Sequence, residues 1–178
     1  MKIYFIRHGH ADHNAAFDEQ QTREVYALHT YRHSALTTKG IRQIEAIKLA
    51  QKPDRVYCSP LKRCIQTARI IFGDEELLHL HDGLLEAQGP FPCNWRDLYE
   101  TFVHTLEKFN TYHLSETYVP SLVEEEMEAV KVRAEACLET IKKEAGHLDS
   151  IAIVTHNDWL ESIFDRKFFN GEVYCLEV

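Results

Sequence analysis

Three short clusters hold residue types suited to handling phosphate. The first is Arg7-His8-Gly9, with Asn14 a few residues on. The second is Ser59-Pro60-Leu61-Lys62-Arg63-Cys64-Ile65-Gln66-Thr67-Ala68. The third is Val154-Thr155-His156. A phosphate monoester is dianionic and repels ordinary nucleophiles. Guanidinium forks hold its oxygens bidentately and neutralise them. A neutral imidazole attacks phosphorus in line, and the phosphohistidine so formed divides one hard step into two easier ones. Catalysis of this kind is mostly positioning and electrostatic stabilisation. The leaving oxygen also needs a proton, and Glu86 is the best-placed carboxylate to supply it.

Such residues need rigid supports. Residues 3–6 form an uninterrupted apolar run and read as a buried strand that ends at Arg7-His8. Residues 55–58 read as a second strand, directly before Ser59, and residues 77–80 as a third, weaker one before Glu86. Residues 151–154 make another buried strand, ending at Thr155-His156, and residues 173–178 a last one. Between the first two strands, Ile41, Ile44 and Ile47 lie near one helical face; Thr37 or Thr38 could cap that helix and Pro53-Asp54 would stop it. Ser59-Pro60 reads as an N-cap with proline in the first turn, followed by Leu61, Cys64, Ala68 and Ile71 at helical spacing. The longest helix is expected over residues 123–144, on a stripe that includes Val130, Ala134 and Ile141, with Gly146 as its stop. Residues 15–35 are poorly periodic, Pro90 and Pro92 break the chain, and residues 95–109 could be helical. Strands alternating with helices imply a three-layer α/β/α sandwich with a mostly parallel central sheet. Ligands of such sheets bind beyond the carboxyl ends of the strands, where all three clusters lie.

The 178 residues fit a single domain over 1–178, and 44% hydrophobic residues suffice for one core. A formal net charge of −8 speaks against a nucleic-acid partner. Five scattered cysteines without a Cys-x-x-Cys pair suit reduced thiols. No signal peptide and no membrane-length apolar stretch is visible, so a cytoplasmic protein without membrane partners is expected.

The clusters resemble the histidine phosphatase superfamily, which also contains the cofactor-dependent phosphoglycerate mutases. Arg7-His8-Gly9 matches its signature triplet, and the Ser59 to Ala68 stretch matches its Ser-Pro-x-x-Arg-x-x-Gln-Thr-Ala pattern almost completely. Leu36-Thr37-Thr38-Lys39-Gly40 resembles its Leu-Thr-x-x-Gly helix entry. The resemblance implies that His8 is the phosphorylated nucleophile and that Arg7, Asn14, Arg63 and His156 hold phosphate. Leu84-Leu85-Glu86 followed by Pro92-Cys93 resembles a eukaryotic branch and supports Glu86 as the acid. His10 stands where Glu or Gln is frequent, and Asn157 where glycine often follows the second histidine. The implied activity is phosphomonoester hydrolysis without metal or cofactor. A mutase-type phosphotransferase is the alternative, and the short chain favours hydrolysis.

His8-Gly9-His10-Ala11-Asp12-His13 also matches the His-x-His-x-Asp-His signature of binuclear-zinc hydrolases. Only one strand precedes it, and that reading leaves the Arg63 cluster unused. It would leave His10 and His13 at the pocket rim or surface if wrong. A binding module that had lost its chemistry would be a third class, but every charged pocket position is filled. Residues 87–120 are expected to form an insertion that covers the pocket. They carry aromatic rings, among them Phe91, Trp95, Tyr99 and Phe102, and few basic groups, chiefly Arg96 and Lys108. A sugar phosphate, nucleotide, small metabolite or phosphoprotein substrate all remain open.

Overall fold

The computed structural model describes residues 1–97 and 108–178. Six strands form one sheet: β1 Lys2–Arg7, β2 Arg55–Cys58, β3 Leu78–His81, β4 Phe109–His113, β5 Ser150–Thr155 and β6 Val173–Glu177. Their spatial order is β4-β3-β2-β5-β1-β6. Neighbours run parallel except β6, which pairs antiparallel with β1. Among the described residues five α-helices accompany them: α1 Asp12–Gln20, α2 Thr38–Glu45, α3 Lys62–Phe72, α4 Met127–Ala145 and α5 Asn157–Phe164.

Strand alternation sorts the core into two layers. Ile3 and Phe5 of β1 face one side with Ile151 and Ile153 of β5, packing on Ala134 and Ile141 of α4 and Trp159 of α5. Tyr4 and Ile6 face the other side with Ala152 and Val154, packing on Cys64, Ile65 and Ala68 of α3. The result is the expected three-layer sandwich. Both faces of β5 are buried, which is why its run is apolar without alternation. Among the described residues no helix is long and apolar enough to cross a membrane.

Several boundaries differ from expectation. Helix α2 stops at Glu45, well before Pro53; Thr37 caps it, accepting the Gly40 amide at 3.1 Å. Ser59 does not cap α3, whose N-cap is Leu61; its hydroxyl turns to His156 instead. Helix α4 begins at Met127, because Val123 lies 78% exposed, off the core. Helices α1 and α5 were not legible, and neither was β4. Helix α1 buries little besides His13 and Ala16 and so carries no apolar period. The helical reading of residues 95–109 fails at its far end, where Phe109 opens β4; residues 98–107, with Tyr99 and Phe102, lie outside the described residues.

Candidate active site

The parallel strands β1, β2 and β5 are neighbours at the centre of the sheet, so their carboxyl ends meet. His8 leaves β1 with its amide bonded to the Thr155 carbonyl of β5 at 3.0 Å. Its loop then passes under α2. Added to Gly40, a Cβ would lie 2.0 Å from the His10 carbonyl oxygen; only glycine permits this approach. Gln66 and Thr67 of the second cluster also serve this loop system: Thr67 accepts the Gly9 amide at 3.1 Å and Gln66 the Leu36 amide at 2.8 Å. The Gln-Thr pair is thus a brace for the first cluster.

His8, Arg63 and His156 are 1%, 1% and 0% exposed. The His8 Nδ1 lies 2.7 Å from the Gly9 carbonyl oxygen, which can only accept. Nδ1 therefore carries the proton and Nε2 the lone pair. Arg63 donates from Nε to that His8 Nε2 at 3.2 Å. Its other nitrogens donate to the Cys93 carbonyl at 2.6 Å, to Asn94 Oδ1 at 3.0 Å and to His156 Nδ1 at 3.3 Å. His156 must then carry its proton on Nε2, which donates to Ser59 Oγ at 2.7 Å. The His8 and His156 rings stand 5.1 Å apart, edge to face. Burial lowers both imidazoles well below their usual pKa, and the positive charge of Arg63 lowers them further. Both rings are neutral at physiological pH.

The Arg63 fork, expected to face phosphate freely, is thus committed to the segment that carries Cys93 and Asn94. Arg7, by contrast, lines the open cavity: Nη1 donates to the Phe168 carbonyl, while the buried Nε has no partner among the described residues. Asn14 also lines the cavity, but its Oδ1 accepts the Ala11 amide at 3.0 Å, a capping contact. Asn170 reaches the His8 carbonyl at 3.2 Å and was not foreseen.

Glu86 lines the same cavity, which encloses about 500 Å³. Its Oε1 accepts the Ala87 and Asp158 amides at 3.1 and 3.2 Å. Burial and then the Asp158 carboxylate push its pKa up to about 8. A carboxylic acid that keeps its proton near neutrality is a proton donor in waiting. Its backbone is clamped from α4. Arg133 donates to the Gly83 carbonyl at 3.1 Å, to the Leu85 carbonyl at 2.8 Å and to the Glu86 carbonyl at 3.4 Å. Glu125 holds that guanidinium at 2.8 and 2.9 Å. Nothing in the local sequence around Arg133 signals this clamp.

The zinc motif does not assemble. His10 is engaged at both nitrogens, with Thr37 at 2.8 Å and Asp18 at 3.1 Å. Asp12 accepts the Ala35 amide, and His13 bonds Ser34 through Nδ1 at 2.8 Å. Among the described residues no group of three or more His, Cys, Asp or Glu is arranged to hold a metal ion. Neither histidine is a surface residue: His10 is buried under the loop, and His13 is buried on the cavity wall. Of the segment 87–120, Ala87, Phe91, Cys93 and Asn94 line the cavity; residues 124–127 and the Phe17 to Tyr26 region supply other walls.

The sheet order, with His8 and His156 at its central strand ends and Arg7 and Arg63 beside them, is that of an α/β sandwich, and the chain belongs to the histidine phosphatase superfamily (branch 1), whose model matches residues 3–168. An alignment 89 positions long, which covers 46% of this chain and 31% of the other protein, shows 33% identity to phosphoglycerate mutase-like protein 1 of Arabidopsis thaliana. The fold is similar to that of an α-ribazole phosphatase from Shigella flexneri, with a TM-score of 0.68 and 22% identity over 100% of this chain and 91% of that one. It is also similar to a phosphoserine phosphatase from Entamoeba histolytica solved with 3-phosphoglyceric acid, with a TM-score of 0.66 and 19% identity over 98% and 89% of the two chains.

Proposed function

We propose that this protein hydrolyses phosphate monoesters without a metal ion, through a phosphohistidine on His8. The observation that carries the reading is the His8 imidazole: buried, neutral, and held by the Gly9 carbonyl so that the lone pair sits on Nε2 beside Arg63. That Nε2 attacks phosphorus, and the bond to the leaving oxygen breaks with its electron pair. Arg7 and Arg63 neutralise the oxygens of the transferring group. Glu86 gives its proton to the departing oxygen. In the second step water attacks phosphorus, the Glu86 carboxylate takes a water proton, and the P–N electron pair returns to Nε2. The Gly9 carbonyl keeps the Nδ1 proton in place throughout and stabilises the cationic phosphorylated ring. His156, which Arg63 and Ser59 fix, is a neutral neighbour that can donate from Nε2 to a phosphoryl oxygen once Ser59 yields.

Hydrolysis is favoured over mutase transfer because the cavity is short of cations for a second phosphate. Beyond Arg7 its lining among the described residues has only Arg23, already paired with Glu124 at 2.8 Å, and Lys167. The testing experiment is turnover of p-nitrophenyl phosphate in the presence of a strong chelator. Activity is expected to persist. Complete loss, restored by zinc, would replace this mechanism with a metal-dependent one.

A further inference from the structure

Phosphate chemistry needs the strand ends and Glu86, yet the cavity extends beyond them to further walls. Those walls are acidic. Residues 124–126 are three consecutive glutamates at the start of α4, and Asp158 and Glu161 stand on α5. Two of the five are neutralised: Glu124 pairs with Arg23, and Glu125 with Arg133. Asp158 and Glu161 receive only the amide of Asn157, at 3.0 Å each, and Glu126 has no side-chain partner among the described residues. Arg7 and Arg63 balance the phosphate dianion in the proposed reaction, and Lys167 is the cation left on the walls among the described residues. With phosphate bound, about two negative charges on the walls then have no counterpart there.

Two further features of the same cavity point to a ligand there. The His13 side chain is 6% exposed, lines the cavity with its ring 5.8 Å from that of His8, and among the described residues hydrogen-bonds only through Nδ1, so its Nε2 is free to meet a group bound next to the phosphate. Beside it, Phe17 and Tyr26 stack with ring centroids 5.6 Å apart and an interplanar angle of 15°, and both line the cavity. Aromatic faces next to carboxylates are the surroundings that organic cations prefer, because the ring quadrupole and the anion both attract them. A second phosphate or a carboxylate would meet uncompensated like charge instead.

We infer that the substrate is the phosphate monoester of a cationic alcohol, an amine or quaternary ammonium compound, whose phosphate sits at Arg7 and His8 and whose cation is received by the Glu126, Asp158, Phe17 and Tyr26 side of the cavity. This inference rests on the phosphomonoesterase reading above.

The test compares kcat/KM for phosphocholine, for its uncharged isostere 3,3-dimethylbutyl phosphate and for the anionic phosphoglycolate, with p-nitrophenyl phosphate as the reference ester. The cationic ester should exceed its neutral isostere about fivefold to tenfold, the size of one favourable charge or cation–π contact, and the anionic ester should be the poorest. Salt should narrow the gap, since the wall is partly open to solvent. Glu126→Gln should lower kcat/KM for phosphocholine more than for the isostere, and Phe17→Leu should act in the same sense. Turnover of p-nitrophenyl phosphate with the neutral isostere equal to or better than phosphocholine would overturn the cationic-substrate inference alone. No turnover of any ester, the aryl one included, would overturn the phosphatase reading and this inference with it.

Discussion

The two ends of the cavity are built on different principles. At the strand ends, His8, Arg63 and His156 are fully buried, and the nitrogens of Arg63 and His156 are matched to fixed acceptors or donors. A buried guanidinium is costly unless fully paired, so this arrangement tolerates little error. At the opposite end, Phe17, Tyr26, Phe91 and the glutamates around α4 come from α1, a 3-10 turn, a loop and a helix start. There the charges are partly exposed and several lack partners. On the proposed reading the first is the chemical end, preorganised by the sheet, which lowers reorganisation at the moment of reaction. The other end hangs on connecting segments, which change without disturbing the core.

If the chemical end is preorganised, substitutions there should cost far more activity than stability. The largest effect is expected for His8→Ala, a fall in turnover of roughly 10⁴-fold or more, measured on an aryl phosphate with folding checked by circular dichroism. Glu86→Gln should come next. Turnover of an alkyl phosphate should drop by about 10²- to 10⁴-fold, while an ester with an activated phenolate leaving group should lose far less. Equal slowing of both esters would remove Glu86 from the acid role. The wild-type rate on the alkyl ester should fall as pH rises past about 8, where Glu86 loses its proton, and the aryl ester should show a weaker fall. Arg63→Ala should cost on the order of 2–4 kcal/mol of transition-state stabilisation, read as kcat/KM on a folded variant. Normal activity would reduce Arg63 to a structural strut for Asn94 and the Cys93 carbonyl.

The smallest effect concerns stability. Because the Glu86 pKa is raised to about 8 in the folded protein, the folded state keeps a proton that the unfolded chain has released above pH 4.5. The wild type therefore loses stability as pH climbs from about 4.5 to 8, and Glu86→Gln, with nothing to titrate, does not. The melting temperature of the variant should exceed that of the wild type increasingly across this window, by about 2–4 °C for each kcal/mol gained. A constant difference at all pH values would mean that Glu86 ionises normally.

The same contrast explains what the sequence disclosed. The clusters at residues 7–9, 59–68 and 154–156 are contiguous, and each follows a strand whose apolar run is unmistakable, so the placement of His8, Arg63 and His156 was legible. The partners of those residues were not. Asn94 and the Cys93 carbonyl reach Arg63 across a loop of 3-10 turns, Asn170 reaches His8 from the chain segment before β6, and Arg133 acts from the middle of α4. Such contacts join distant segments through single hydrogen bonds, and no local period encodes them. Helix α5 hides for a related reason: it is eight residues long and follows His156 directly, without a capping side chain. Strand β4 hides because Asn110, Thr111 and Tyr112 carry no buried face on the sheet edge. His13 does line the cavity, as a pocket-rim position would, whereas His10 is buried away from it, because nothing in the linear motif shows that Thr37 and Asp18 take up both its ring nitrogens.

The central claim is the covalent intermediate on His8, and trapping tests it most directly. The protein is mixed rapidly with an activated aryl phosphate and quenched in alkaline denaturant, because a phosphoramidate is labile in acid and stable in base. Peptide mass spectrometry then locates the phosphate. One phosphate per chain is expected on His8, absent in His8→Ala and retained on His8 in a slower His156→Ala variant. A phosphate found on Ser59, Cys58 or Asp12, or full turnover by His8→Ala, would contradict it.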